Sequence, residues 1–139
     1  MIQENELRIG NIVTDQFFDS FKNFIIVKSM NNEGINLEIA DDGNYPECAS
    51  YFFEPDYLFG NIFGIPLTPS ILEKCGFEKD NENERFQLDT DLGLCIYGSI
   101  ELGVAVNMDY KIVGNAVKHL HQLQNLYFAL TGEELIFNN

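Results

Sequence analysis

The two histidines, His119 and His121, are the residues whose type and spacing most directly suggest chemistry. They open the segment HLHQLQNLYFALTGEEL, residues 119–135. Imidazole nitrogens bind transition metals, and an H-x-H pair on a β-strand places both rings on one face. Apolar residues recur here at spacings of three and four, however, which predicts a helix. On a helix the two side chains diverge by about 200°, so we expect no metal site at this pair.

The three cysteines, Cys48, Cys75 and Cys95, form no C-x-x-C pair and leave one cysteine over. This pattern is typical of a reducing compartment, where thiols serve as small core residues. Cys75 lies on the apolar face of a predicted helix, and Cys95 lies within the apolar run LGLCIYG. We therefore expect both thiols to be buried and unreactive, which argues against a nucleophile that combines either of them with His121.

Other catalytic and cofactor-binding signatures are missing from the sequence. It contains no G-x-x-x-x-G-K-[ST] loop, no G-x-G-x-x-G turn and no G-x-S-x-G elbow. Carboxylate pairs such as Asp41 with Asp42, or Asp89 with Asp91, are expected by chance among 22 acidic residues. None of them has the spacing of a calcium loop. We therefore predict no catalytic residue, no cofactor and no metal, and a protein that is not an enzyme.

The charge of the chain is strongly and evenly negative. There are 8 Lys and Arg residues against 22 Asp and Glu residues, which gives a formal net charge of −14. Residues 1–60 hold 11 acids and 3 bases, and residues 61–139 hold 11 acids and 5 bases. Such a field repels nucleic acid and anionic membranes, because affinity for phosphate comes from Lys and Arg. We therefore expect no direct binding to nucleic acid or to a membrane.

The sequence shows no targeting or membrane segment. The start, MIQENELRIG, has neither the basic nor the apolar region of a signal peptide. The longest apolar runs, such as FIIV and LYFAL, are far shorter than the roughly 20 residues that span a bilayer. Together with the cysteine pattern, these features predict a cytoplasmic protein.

Aromatic residues are concentrated in the first half of the chain, where 11 of the 18 lie before residue 64. One interpretation is that they fill the core of a small barrel. The other is that part of the segment 45–63 is an exposed patch, since protein interfaces favour Tyr and Phe. Two prolines interrupt this segment and it has no clear amphipathic period. The candidate interaction surface consists of Tyr51, Phe52, Phe53, Tyr57 and Phe59.

Strands are predicted in the N-terminal part of the chain. NELRIGNIVTD is an opening strand with a turn or bulge at Gly10 and Asn11, and FKNFIIVKSM and INLEIA form a hairpin across NNEG. A kinked first strand followed by a tight hairpin is how SH3-like barrels often begin.

The C-terminal part combines helices and strands. A short helix within residues 65–80 has Thr68 as N-cap, Pro69 as its first residue and Gly76 at its end. Three strands are predicted at 81–89, 92–100 and 101–109. A final helix is predicted from Asn115, its N-cap, to a stop at Gly132.

The predicted fold class is therefore α+β. An N-terminal antiparallel β unit, SH3-like in its opening and spanning residues 1–64, packs with a C-terminal unit of residues 65–139. The C-terminal unit is expected to be helix, three-stranded meander and helix, with both helices on one face of the meander. Each half is small for a core of its own, so we expect one compact folding unit.

Three segments occur in the order NELRIGN, IPLTPSILEKCGFE and VKHLHQLQNLYFALTGEEL. Together they resemble segments of a family of short, uncharacterised proteins from Bacteroidales chromosomes, prophages and mobile elements. The stretch from Asp15 to Phe63 departs from the family. The resemblance implies a bacterial or phage origin in the cytoplasm, and it carries over no catalytic residue.

The leading hypothesis is a non-catalytic protein-interaction or regulatory module that binds another protein. One alternative is an acidic nucleic-acid mimic that occupies a host DNA-binding protein. Another is a small enzyme or ligand-binding domain that uses the aromatic segment as a pocket. The sequence is also compatible with a homo-oligomer, and it does not identify the partner.

Overall fold

The chain divides into two compact units, Met1–Ile65 and Pro66–Asn139. The structure, a computed structural model, describes residues 2, 6–15, 25–31, 34–39, 50–53, 62–82, 84–88, 93–97, 103–109 and 111–138. At residues 15, 31, 34–39 and 50–53 it describes the backbone only.

The described strands of the first unit form one antiparallel sheet in the order β4-β3-β2-β1-β5. These strands are β1 (Ile12–Asp15), β2 (Ile25–Asn31), β3 (Gly34–Ile39), β4 (Ser50–Phe53) and β5 (Ile62–Gly64). The hairpin predicted across NNEG is confirmed, because β2 and β3 pair from Asn31 opposite Gly34 to Ile25 opposite Ile39. The SH3-like arrangement stays a prediction.

The second unit contains another antiparallel sheet, with its strands in the sequential order β10-β9-β8-β7-β6. Its elements are α1 (Pro69–Lys74), β6 (Phe77–Asp80), β7 (Arg85–Leu88), β8 (Leu94–Tyr97), β9 (Val104–Met108), β10 (Lys111–Val117) and α2 (Leu120–Thr131). Strands and helices thus occur together with antiparallel pairing, and the predicted α+β class is confirmed.

The predicted three-stranded meander is part of a larger sheet, in which five strands are described. The first added strand, β6, follows directly on Gly76, whose φ of 84° turns the chain out of α1. The second, β10, occupies the residues from which the last helix was expected to start. Gly114 there has a φ of 70°, and the pairing with β9 shifts register between Val113 and Val117. Asn115 therefore lies in a bulged strand, and α2 begins only at Leu120.

Residues 8–11, RIGN, form a tight turn that leads into β1. The Asn11 N–H donates to the Arg8 carbonyl at 3.0 Å, and Gly10, with a φ of 91°, takes the position that favours glycine. The Asn11 side chain accepts the Arg8 N–H at 2.8 Å and is fully buried. The predicted turn at Gly10 and Asn11 is confirmed, but the strand begins after it, and Ile9 is exposed.

This turn is tied to the sheet and to the core of the first unit. The Gly10 N–H donates to the Val27 carbonyl at 2.8 Å, and the Val27 N–H donates to the Asn11 carbonyl at 2.9 Å. The surrounding apolar cluster consists of Ile2, Leu7, Val13, Ile25, Val27 and Ile62, with Met30 packed against it. Burying these side chains is the main stabilising contribution in this unit.

The helix α1 has the caps that the sequence predicts. The Thr68 Oγ1 accepts the Ile71 N–H at 3.2 Å, and Pro69 is the first helical residue. At the other end, the Asn138 N–H donates to the Lys74 carbonyl at 2.8 Å. The C-terminal tail therefore satisfies a carbonyl that the end of a helix otherwise leaves without a partner.

The second sheet has one apolar and one polar face. Leu94 and Ile96 on β8 are buried, as are Val104 and Val106 on β9, while the residues between them are only half-buried. Alternation of this kind places every second residue on the core side. We call the other side, which carries Asp80, Arg85, Gln87, Cys95, Tyr97 and Asn107, the polar face.

Replacement of Asn11 tests the turn. Asn11→Ala removes the acceptor of the Arg8 N–H at a fully buried position, so we expect the free energy of unfolding to fall by about 1–3 kcal/mol. Urea denaturation followed by far-UV circular dichroism measures the change, since the chain has no Trp. The control is Asn115→Ala at an exposed position, expected within about 0.5 kcal/mol of the parent protein. Equal effects at the two positions would contradict the role of the Asn11 side chain.

Candidate interaction surface

Three of the five predicted interaction residues lie on β4, at one end of the first sheet. Tyr51, Phe52 and Phe53 belong to this strand, which pairs with β3 on one side. No other described strand pairs with it. Tyr57 and Phe59 lie outside the described residues. Among the described strands, the contiguous aromatic residues 51–53 therefore lie on an outer strand of the sheet, where backbone groups can take part in binding.

The strand register divides these aromatic residues between the two faces of the sheet. Tyr51 is opposite Leu37, which is in turn opposite the buried Val27. Successive strand residues alternate between faces, so Tyr51 and Phe53 take positions on the face of Val27. Phe52, opposite Asn36, takes a position on the other face. The periodicity of the segment alone could not make this division, because it depends on the partner strand.

The Arg85 guanidinium donates hydrogen bonds to three side chains on the polar face of the second sheet. Its Nε donates to Asp80 Oδ2 at 3.0 Å, and its Nη1 donates to the Tyr97 hydroxyl at 2.7 Å. A longer contact of 3.4 Å joins Nη2 to Gln87 Oε1. The hydrogen bond to Tyr97, and secondarily the bond to Asp80, raise the pKa of Arg85 above its usual value. The guanidinium therefore remains charged and is held in place between strands β6, β7 and β8.

Cys95 and Asn107 lie on the same polar face, in line with Gln87 across the strands. Gln87 is opposite Cys95, and Cys95 is opposite Asn107 on β9. The Asn107 Oδ1 is buried and accepts no hydrogen bond from the described residues. The sequence did not indicate this cluster, although the alternation of RFQL and LCIY was a usable signal. Contacts such as Arg85 with Tyr97 appear only when the strand register is known.

The histidine pair has a geometry that differs from the one predicted. His119 precedes α2 in an extended conformation, while His121 is the second residue of the helix and is 1% exposed. The two rings stack with their centroids 5.7 Å apart and an angle of 21° between their planes. The expected divergence of the side chains is therefore wrong, because only one of them is helical. Among the described residues, no group of three or more His, Cys, Asp and Glu side chains could hold a metal ion.

Gln122 holds the chain at the start of α2. Its Oε1 accepts the N–H groups of Lys118 at 2.9 Å and His119 at 3.2 Å. The Lys118 carbonyl in turn accepts the Leu67 N–H at 2.9 Å, and His119 forms a β-bridge with Pro66. Residues 118–119, which precede α2, thus pair with residues 66–67, which precede α1. These backbone contacts give Lys118 and His119 a structural role at the start of α2.

The two cysteines with described side chains have different environments. Cys75 is 4% exposed, and burial raises the pKa of its thiol to about 12. Cys95 is half-buried on the polar face, which corrects the expectation that it would be buried. Cys48 lies outside the described residues. A thiol with a raised pKa stays protonated and unreactive, so Cys75 acts as a small core side chain.

Comparison with known proteins identifies no relative of this chain. No protein family, no curated protein and no solved structure matches the chain. Among the described residues, no helix is long and apolar enough to cross a membrane. The geometry of the sheets and their edges is therefore the basis for assigning a function.

Thiol reactivity tests the two cysteine environments. In a Cys48→Ser variant at about pH 8, we expect iodoacetamide to modify Cys95 at least roughly tenfold faster than Cys75, because only the thiolate reacts and Cys75 is protonated and buried. Peptide mapping by mass spectrometry gives both rates. In denaturing urea, which serves as the control, the two rates should converge. Equal rates in the folded protein would show that the burial assigned to Cys75 is incorrect.

Proposed function

We propose that this chain is a non-catalytic protein-interaction module that binds another protein through the aromatic segment containing β4. The observation that supports this proposal is the position of Tyr51, Phe52 and Phe53 on an edge strand of the first sheet. Tyr57 and Phe59, which follow in the sequence, extend the proposed surface. Tyr and Phe are enriched where protein interfaces have their strongest contacts.

The proposed role is that of an adaptor or regulator in the cytoplasm of a bacterium or phage-infected cell. The resemblance to Bacteroidales chromosomal and prophage proteins motivates this setting. A net charge of −14 disfavours nucleic acid and anionic lipid as direct ligands and accelerates encounter with a positively charged protein.

An acidic nucleic-acid mimic is a second candidate. Glu78, Glu82 and Glu84 are exposed around the connection between β6 and β7, and an exposed row of carboxylates can occupy the phosphate-binding surface of a DNA-binding protein. Binding of that kind weakens steeply as salt screens the charges, whereas aromatic contacts persist. Salt dependence therefore separates the two candidates.

The first test is capture of partners from Bacteroidales lysate by the tagged full chain at low and high salt, read by mass spectrometry. We expect a partner that persists at high salt and whose recovery falls roughly tenfold with Phe52→Ala, as for an interface residue of large contribution. Tyr57→Ala should act in the same direction. Thermal unfolding should remain close to that of the parent protein.

The control is Ile112→Ala, which removes an apolar side chain that is 71% exposed on the second sheet. Its capture profile should equal that of the parent chain. A DNA-binding partner that is lost at high salt would favour the mimic instead. Undiminished capture by both aromatic variants, or a large fall in their melting temperature, would reject the proposed surface.

A further inference from the structure

We infer that the partner contributes a basic, extended segment that adds to the first sheet as a new strand beside β4. This inference rests on the proposed function, because it specifies how the partner is bound at the same surface and what its chemistry is. It concerns the backbone of β4 as well as its aromatic side chains.

The backbone of β4 is arranged for such an addition. Its four residues pair with β3 in unbroken register, from Ser50 opposite Glu38 to Phe53 opposite Ile35. In an antiparallel pair, the groups that do not bond to the partner strand point away from it. On the outer side of β4 no described strand receives them. A further strand can therefore form a ladder of main-chain hydrogen bonds there, which is a common way of binding peptides.

The other three sheet edges carry features that discourage pairing with another chain. The outer strand β6 bears the exposed charges of Glu78 and Lys79. The outer strand β10 has a register shift between Val113 and Val117, with Gly114 at a φ of 70°. The strand β5 is only three residues long. Charges, bulges and short length are the usual protections of sheet edges.

The strand β4 lacks the first two of these protections. Its sequence, SYFF, has no charged residue and no proline, and its register shows no bulge. Three of its four residues are aromatic, a composition that suits pairing with β-branched or aromatic residues of an added strand. Among the four edges, β4 is thus the one best suited to accept a partner strand.

Charge determines which strand fits. Between Lys28 and Lys74 the sequence contains no Lys or Arg and eight acidic residues. Glu38 is in register with Ser50, and Glu47 and Glu54 flank β4 along the chain. A segment with Lys or Arg is therefore attracted to this edge. A second copy of the chain would bring the same carboxylates and would be repelled, so the occupant is a different, basic chain.

Three synthetic heptapeptides test the inference by NMR titration of the isotope-labelled full chain. The first has Lys at both ends and alternating Val and Thr between them. The second has Glu in place of each Lys, and the third has Lys ends with a central proline. We expect the first to shift the amide signals of Tyr51, Phe52 and Phe53 and to bind about tenfold more tightly than the other two. The amides of Lys111–Val113 on β10 serve as the control edge.

A matched pair of variants at one position isolates the charge. Phe52→Lys and Phe52→Glu both remove the aromatic ring, so their difference reports the added charge alone. We expect the Lys-ended peptide to bind Phe52→Glu several-fold more tightly than Phe52→Lys. Ile112→Lys adds the same charge on the second sheet, and affinity should stay within about twofold of the parent. Circular dichroism confirms that each variant is folded.

Several results would overturn strand addition. Equal binding of the proline peptide would show that no hydrogen-bonded ladder forms, and equal binding of the Glu-ended peptide would remove the selection by charge. Dimerisation that Phe52→Lys abolishes would make a second copy the occupant. If no peptide shifts the β4 amides while lysate capture still depends on Phe52, the proposed function stands and strand addition fails. If lysate capture does not depend on Phe52, both fail.

Discussion

The pairing of backbone groups at the sheet edges is the constraint on which the rest of this structure depends. Both sheets are antiparallel, and among the described strands each sheet has two outer members that pair with a neighbouring strand on one side only. In the second unit, exposed charge on β6 and a bulge in β10 disfavour pairing at these edges. The same constraint makes β4 distinctive, since it combines regular register with an uncharged aromatic sequence.

Short-range hydrogen bonds to two amide side chains hold the backbone just before β1 and just before α2. The side chain of Asn11 closes the turn before β1, and that of Gln122 holds the backbone before α2. The Asn11 side chain accepts one backbone N–H and the Gln122 side chain accepts two. Both contacts are local in sequence, and each lies directly before the first residue of a strand or helix.

Features with a local cause were predictable from the sequence, and features that depend on register were not. The helix α1 was predicted with its caps because Thr68, Pro69 and Gly76 act within one turn of it. The strand β10 was missed because Gly114 and Asn115 are typical of a helix start, whereas here they form a bulge. The predicted geometry of the histidine pair was wrong because the helix was expected to begin before His119, whereas it begins at Leu120. The polar cluster around Arg85 joins residues up to 12 positions apart, and its contacts exist only once β6, β7 and β8 are aligned.

The charge of the chain gives the edge at β4 a form of protection that the strand itself lacks. An uncharged aromatic edge normally invites pairing between identical chains, which leads to aggregation. Here every copy carries a net charge of −14, and the 45 residues between Lys28 and Lys74 contain no positive side chain. Two such edges repel each other at distances within the Debye length, about 8 Å at physiological ionic strength. A basic strand experiences the opposite force. Diffuse acidity therefore favours a basic strand over a second copy of the chain in the strand addition proposed at β4.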